Sequence, residues 1–186
     1  MSTPPFIALC DDTSSRDILS VPPGHEGFVR HAGGRLHLRP GMHRLQCERV
    51  AAVFLVCVEG SHGVDLRSLG GAMLRAANGR WSPIKLLGRL VYGVVRPEPL
   101  VDFLEREQIH EPRQLERELA RLCVELLANI FDGEALRPDE LNGQLGAASG
   151  ELLRRLTVLL LPLGIGLQGL DLLAVPAPAE GAVATT

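Results

Sequence analysis

Gly164, Gly166 and Gly169 spell the GxGxxG pattern that can cradle a dinucleotide pyrophosphate. That chemistry needs a strand before the glycines, a helix after them whose N-terminus faces the phosphates, and an acid about 20 residues on for the ribose. Here a leucine-rich helical segment precedes the glycines, Leu170 to Val175 reads as a strand, Pro176 follows, and the tail holds one acid, Glu180. The pattern therefore reads as a helix-to-strand turn, and no cofactor is expected. His25, His31, His37 and His43 recur every six residues, a spacing that can line one strand face. Turns at Gly33-Gly34 and Pro40-Gly41 break that register, and with Cys47 they offer no close ligand pair of zinc-site spacing. They read as solvated strand histidines, with no metal expected.

Asp65, Asp102, Asp132, Asp139 and Asp171 do not pair with a nearby acid in a recognisable acid/base arrangement, and there is no GxSxG nucleophile elbow. Lys85 is the single lysine, in a strand-like run without an activating neighbour. The expectation is a chain that is not an enzyme. Arg113, Arg117 and Arg121 stack at i, i+4 and i+8 on the helix face opposite a leucine stripe, where like charges repel unless acids answer them. Glu125 answers Arg121 within the helix. The three arginines are either a solvated face or an oligomer interface meeting acids of a neighbouring subunit, and they are the candidate site residues.

The 186 residues are 46% hydrophobic and 22% charged with a net charge of −3, the range of one globular domain that needs no disulfide or metal to hold its core. A slightly acidic balance disfavours nonspecific nucleic-acid binding, which relies on a basic surface. The four cysteines, Cys10, Cys47, Cys57 and Cys123, follow no disulfide framework, and residues 1–20 lack the basic start and apolar core of a secretory signal. Both observations predict a cytoplasmic setting. Leu156 to Leu167 is the most apolar stretch, but its 12 residues with Pro162 and Gly164 fall short of the ~20 needed to span a bilayer, so it reads as core.

The elements that must hold these residues change period near Pro97. Residues 5–95 read as strands: Pro5 to Cys10, Ile18 to Val21, Gly27 to His31, the alternating Arg35 to Arg39 with one face buried, and Arg49 to Val58, rich in β-branched residues and central in the sheet. Asn78-Gly79 marks a hairpin between Gly71 to Ala76 and Ile84 to Val95. Helices follow at 98–107 and at Pro112 to Phe131, where Leu115, Leu119, Leu122, Leu126, Leu127 and Ile130 form one stripe, closed by Asp132-Gly133. A short helical piece from Pro138 to Leu145 leads to a separate helix at 149–161 with Leu152, Leu153, Leu156, Leu159 and Leu160 facing in; a strand from Ile165 to Val175 closes the order.

This order resembles the SPFH or band 7 domain of stomatins, prohibitins and flotillins. Val21-Pro22-Pro23-Gly24-His25-Glu26-Gly27-Phe28-Val29, Gly34-Arg35 and Pro40-Gly41-Met42-His43 are similar to its opening hairpins. Ile84 to Val94 followed by Arg96-Pro97-Glu98-Pro99-Leu100-Val101-Asp102-Phe103 resembles its strand stepping into a helix, with Arg96 where the family has aspartate. Gly164-Ile165, Leu167, Leu170, Leu172 and Val175 match its closing strand. The arrangement is most similar to the soluble virion-core-like branch.

The sequence thus predicts an α+β fold, a curved antiparallel sheet packed by three helices with a closing C-terminal strand. The expected organisation is a lead-in at 1–19, an SPFH-like domain at 20–175 and a disordered tail at 176–186. The resemblance implies a non-catalytic scaffold that self-assembles into a higher-order oligomer. It implies protein partners such as a membrane protease and peripheral contact with the inner face of a membrane. A monomeric protein-binding module is the alternative, and an unrecognised enzyme the third reading.

Overall fold

Among the described residues, short runs of alternating or β-branched residues broken by glycine and proline form ten strands, and three segments with helical periodicity form helices. The computed structural model of the chain describes residues 4–9, 18–45, 50–67, 71–75, 81–131, 137 and 140–176. Strands β1 (Phe6–Leu9), β2 (Ile18–Val21), β3 (His25–His31), β4 (Gly34–Leu38), β5 (Gly41–Arg44), β6 (Val50–Cys57), β7 (His62–Leu66), β8 (Gly71–Arg75) and β9 (Trp81–Val94) precede helices α1 (Pro97–Arg106), α2 (Pro112–Ile130) and α3 (Leu141–Leu160). A 3₁₀ turn, Leu161–Leu163, leads to β10 (Ile165–Pro176). The mixed α+β class stands, but the single curved sheet of the sequence reading is corrected to three antiparallel sheets: β1-β6-β3-β4, β10-β9-β7 with β8 also on β9, and the ribbon β2-β5.

Two hydrophobic clusters explain that division. On one face of the first sheet Phe6, Phe28, Phe54 and Val56 join Val64, Leu90 and Tyr92 of the second sheet and the inner stripes of all three helices. On the opposite face Val29, Val53 and Leu55 are covered by Leu19 and Val21 of the ribbon. β6 is therefore buried on both sides from Val53 to Cys57, as its composition requires. Gly27 lets the ribbon close down, because a Cβ there would lie 2.8 Å from Val21 Cγ2.

α2 carries the expected stripe in part: Leu115, Leu119 and Leu127 are buried together with Cys123, while Leu122, Leu126 and Ile130 are half-buried beside them, and the helix opens with a capping box between Glu111 and Gln114. α1 starts with Pro97 in its first turn and ends in a Schellman motif: Ile109 N donates to Leu104 O at 2.8 Å and Gln108 N to Glu105 O at 3.2 Å. Gln108 takes the left-handed position of that motif, at φ +54.

Four further expectations are corrected. The short helical piece ending at Leu145 and the separate helix at 149–161 are one helix, because Leu145, Ala148, Leu152, Leu156 and Leu160 form a continuous buried stripe through Gly146 and Gly150. Leu159 is 47% exposed rather than facing in, so the apolar stretch 156–167 is core only in part, with Val158 and Leu161 also open to solvent. β4 lies at a sheet margin, and its alternation buries little: Leu36 is exposed and Leu38 half-buried. β7 was absent from the sequence reading. Asn78-Gly79, Asp132-Gly133, Cys10, Cys47 and the tail beyond Pro176 lie outside the described residues, although β8 and β9 do pair from Arg75 opposite Trp81. No described helix is long and apolar enough to cross a membrane.

Candidate functional site

The four evenly spaced histidines go to four different settings. His25 is buried, against the expectation of a solvated ring, because it faces inward at the start of β3, with Nδ1 3.1 Å from Pro23 O. His31 Nδ1 accepts from Gly33 N in the β3–β4 turn, and His43 Nε2 lies 2.6 Å from Arg39 O. His37 stacks on Phe28, centroids 4.7 Å apart and nearly parallel, with Nε2 2.7 Å from Glu26 Oε2. Among the described residues no group of three or more His, Cys, Asp or Glu could hold a metal ion.

Charged side chains at the β3–β4 hairpin lock it to α1. Arg35 Nη2 reaches Asp102 Oδ1 at 2.6 Å and Glu105 Oε2 at 2.9 Å, while Arg30 Nη1 stands 3.7 Å from Glu105 Oε2. Asp102 is thus engaged in holding elements together. Asp65 and Asp171 sit on either side of Arg89 across the second sheet, in register on β7 and β10; Asp132 and Asp139 lie outside the described residues. Lys85 is exposed on β9.

The predicted arginine stripe divides into two parts. Arg121 is bound by Glu118, Nη2 to Oε1 at 2.5 Å, and also by Glu125, so its charge is answered within α2. Arg113 and Arg117 are in no ion pair among the described residues; Arg117 Nε bonds only the Arg113 carbonyl, at 3.3 Å. These two line a groove between the flank of α2 and β7. The groove has two adjoining depressions, of about 450 and 430 Å³, that share Gly63, Arg113 and Glu116. Pro4, Pro5, His62 and Pro112 close one end, and Asp65, Arg67 and Ala120 line the other. β7 ends its sheet, so its backbone beyond Gly63 pairs with β9 on one side and faces the groove on the other.

A second groove, of about 280 Å³, runs between α3 and the outer edge of β10, lined by Leu141, Leu145, Gly146, Leu172 and Ala174. Ser149 Oγ donates to Leu170 O at 2.6 Å and ties the helix to that edge. β10 extends over 12 residues as an end strand, and Leu173 is 58% exposed on it.

Two of the GxGxxG residues have steric duties here: a Cβ on Gly166 would lie 2.6 Å from Val95 Cγ1 and one on Gly164 would meet Arg96 O, whereas Gly169 has nothing within 4 Å. Gly164, at φ +84, closes the 3₁₀ turn, and its carbonyl accepts from Val95 N at 2.8 Å and Arg96 N at 3.2 Å. Strand β10 begins at the next residue, which gives the helix-to-strand turn expected of the sequence. Arg96 stands at the step into α1 and donates from Nη2 to Leu161 O at 2.7 Å, joining the same turn.

Sequence reasoning found the α2 face but missed β7, the strand it faces. The signal was present as the alternation His62, Val64, Leu66, buried, with Gly63 and Asp65 exposed. No protein-family model and no curated protein matches the chain.

Proposed function

We propose that the chain is a non-catalytic scaffold of the SPFH or band 7 kind that self-associates into a higher-order oligomer and organises protein or membrane partners. The observation that carries this reading is the end-strand position of β10 among the described residues, 12 residues long, beside a groove of mixed polar and apolar lining and bearing exposed Leu173. An end strand of that length offers backbone groups to a second strand beyond Leu170, whose carbonyl Ser149 already occupies, and strand addition supplies hydrogen bonds along that part of the edge. The order of opening hairpins, a long strand stepping into α1, two further helices and a closing strand supports the family resemblance over residues 20–175.

The test is the solution mass of the purified chain by light scattering after gel filtration, at two salt concentrations. The expected result is a discrete assembly that persists in salt, since the contact is backbone-mediated and centred on the uncharged side chain of Leu173, and that Leu173→Lys breaks down. An assembly that loosens in salt would move the contact to the Arg113, Arg117 and Arg121 face. A mass of 20.1 kDa at both salts would overturn self-association and leave the monomeric binding module.

A further inference from the structure

We propose that the groove between β7 and α2 is a binding site for an extended acidic segment of a partner protein, which adds to β7 as a strand. The backbone part of the argument is the position of β7. Among the described residues it ends its sheet, five residues long, and no strand pairs with its second edge, which opens into the groove. Residues 113, 116, 117 and 120 of α2 overhang that edge as a second wall, so a segment lying there meets backbone on one side and side chains on the other. Strand addition gives affinity through main-chain bonds and specificity through the wall.

The choice of an acidic segment rests on charge. Arg67, Arg113 and Arg117 converge on the groove, and none of them has an ion-pair partner among the described residues, whereas Arg121 one turn further along α2 is bound by two glutamates. Asp65 and Glu116 line the same depression along β7 and leave it basic by one charge, while Glu111 lies in the adjoining depression. Glu111 is occupied in the capping box of α2. A segment with spaced carboxylates can therefore pair with the guanidiniums while its intervening side chains pass Asp65 and Glu116. Arginine suits that role because its planar donor fork grips a carboxylate with two hydrogen bonds.

The site is independent of self-association at β10. The experiment uses the full chain and a fluorescein-labelled, end-blocked heptapeptide that alternates glutamate and valine, read by fluorescence anisotropy at low salt. Saturable binding is expected, and the double reversal Arg113→Glu with Arg117→Glu should weaken it by at least about ten-fold. Arg154→Glu, on α3, should leave it unchanged. Methylating alternate backbone amides of the peptide should abolish binding, and a lysine–valine counterpart should not bind. Should the double variant melt below the wild-type chain, Arg117→Gln takes its place, with an expected loss of about three-fold. The proposal is overturned if the glutamate–valine peptide does not bind, if the arginine variants bind it equally well, or if the methylated peptide binds as well as the parent. That last result would mark the groove as a nonspecific polyanion surface.

Discussion

Replacing Gly164 by alanine tests whether the closing turn is held open by space or by backbone conformation. A Cβ on Gly164 would lie 1.9 Å from Arg96 O, 3.0 Å from its carbonyl carbon and 3.2 Å from Leu100 N. Carbon and oxygen approach one another no closer than about 3.3 Å without strain, so the chains must part by roughly 1.4 Å. That movement breaks the bonds from Val95 N and Arg96 N to Gly164 O, a loss of about 1 kcal/mol each. The left-handed conformation adds about 1–2 kcal/mol for any residue with a Cβ. The total is about 3–4 kcal/mol out of a stability of about 5–15. At about 2–4 °C per kcal/mol for a chain of this size, the melting temperature should fall by about 6–16 °C. Circular dichroism melts and urea titrations measure it. Asparagine separates the two causes, since it tolerates positive φ but still carries a Cβ. Gly164→Asn should therefore cost about 2 kcal/mol, the share of the two broken hydrogen bonds. At Gly60, with φ +96 and nothing within 4 Å of its Cβ position, alanine should cost only the conformational share, about 1–2 kcal/mol. Equal losses at both sites would refute the steric account.

Gln108 occupies the left-handed position after α1 at φ +54, exposed, so Gln108→Gly should stabilise the chain by about 0.5–1 kcal/mol, read as a rise in melting temperature. The Glu151 carboxyl is held at about 2, below its ordinary 4.5, by hydrogen bonds from Arg154 and then Arg155. A depressed folded-state value means that its stabilisation is complete above 4.5 and is lost as pH falls toward 2. Urea titrations at pH 5, 3.5 and 2.5 should therefore show a shallower acid slope for Glu151→Gln than for the wild-type chain. Burial pushes the Cys123 thiol up to about 12, so at pH 8 iodoacetamide should label Cys123 only as fast as the chain opens, measured by peptide mass mapping. Rapid labelling under native conditions would contradict its place in the core.

The parts of the fold legible in the sequence were those where local pattern and tertiary burial agree. The leucines of α2 face the core at helical spacing, and Val50 to Val58 is apolar throughout because β6 is covered on both faces from Val53 to Cys57. α3 was harder to read. Gly143, Gly146 and Gly150 lower its helix propensity, and the segment divided at that point; burial of Leu145, Ala148 and Leu152 along one stripe overrides the penalty. β7 escaped notice because Gly63 and Asp65, both poor strand formers, fill its outward positions. The division into three sheets was not legible for a different reason. It depends on Leu19 and Val21 covering the second face of the first sheet, a long-range pairing that no local period reports. The arginine spacing identified one wall of a groove, and the other wall is set by β7 pairing with the far end of β9.

The two grooves share a design, in that each sets a helix beside a free edge of the same sheet, with β9 between the edges. Gly63 to Leu66 pair with Val91 to Gly88, and Leu170 to Leu172 pair with Leu90 to Gly88, so the same stretch of β9 supports both. A strand added at β10 leaves the β7 edge accessible on the opposite side of the sheet. Self-association and partner capture should therefore be separable by mutation. Leu173→Lys should dissociate the assembly while the peptide affinity at β7 stays within about two-fold of wild type, and the double reversal at Arg113 and Arg117 should weaken the peptide while sparing the mass. Light scattering and anisotropy on the same two proteins decide it. If one variant lost both properties with its melting temperature intact, the two edges would be one interface and the division of labour between β7 and β10 would be wrong.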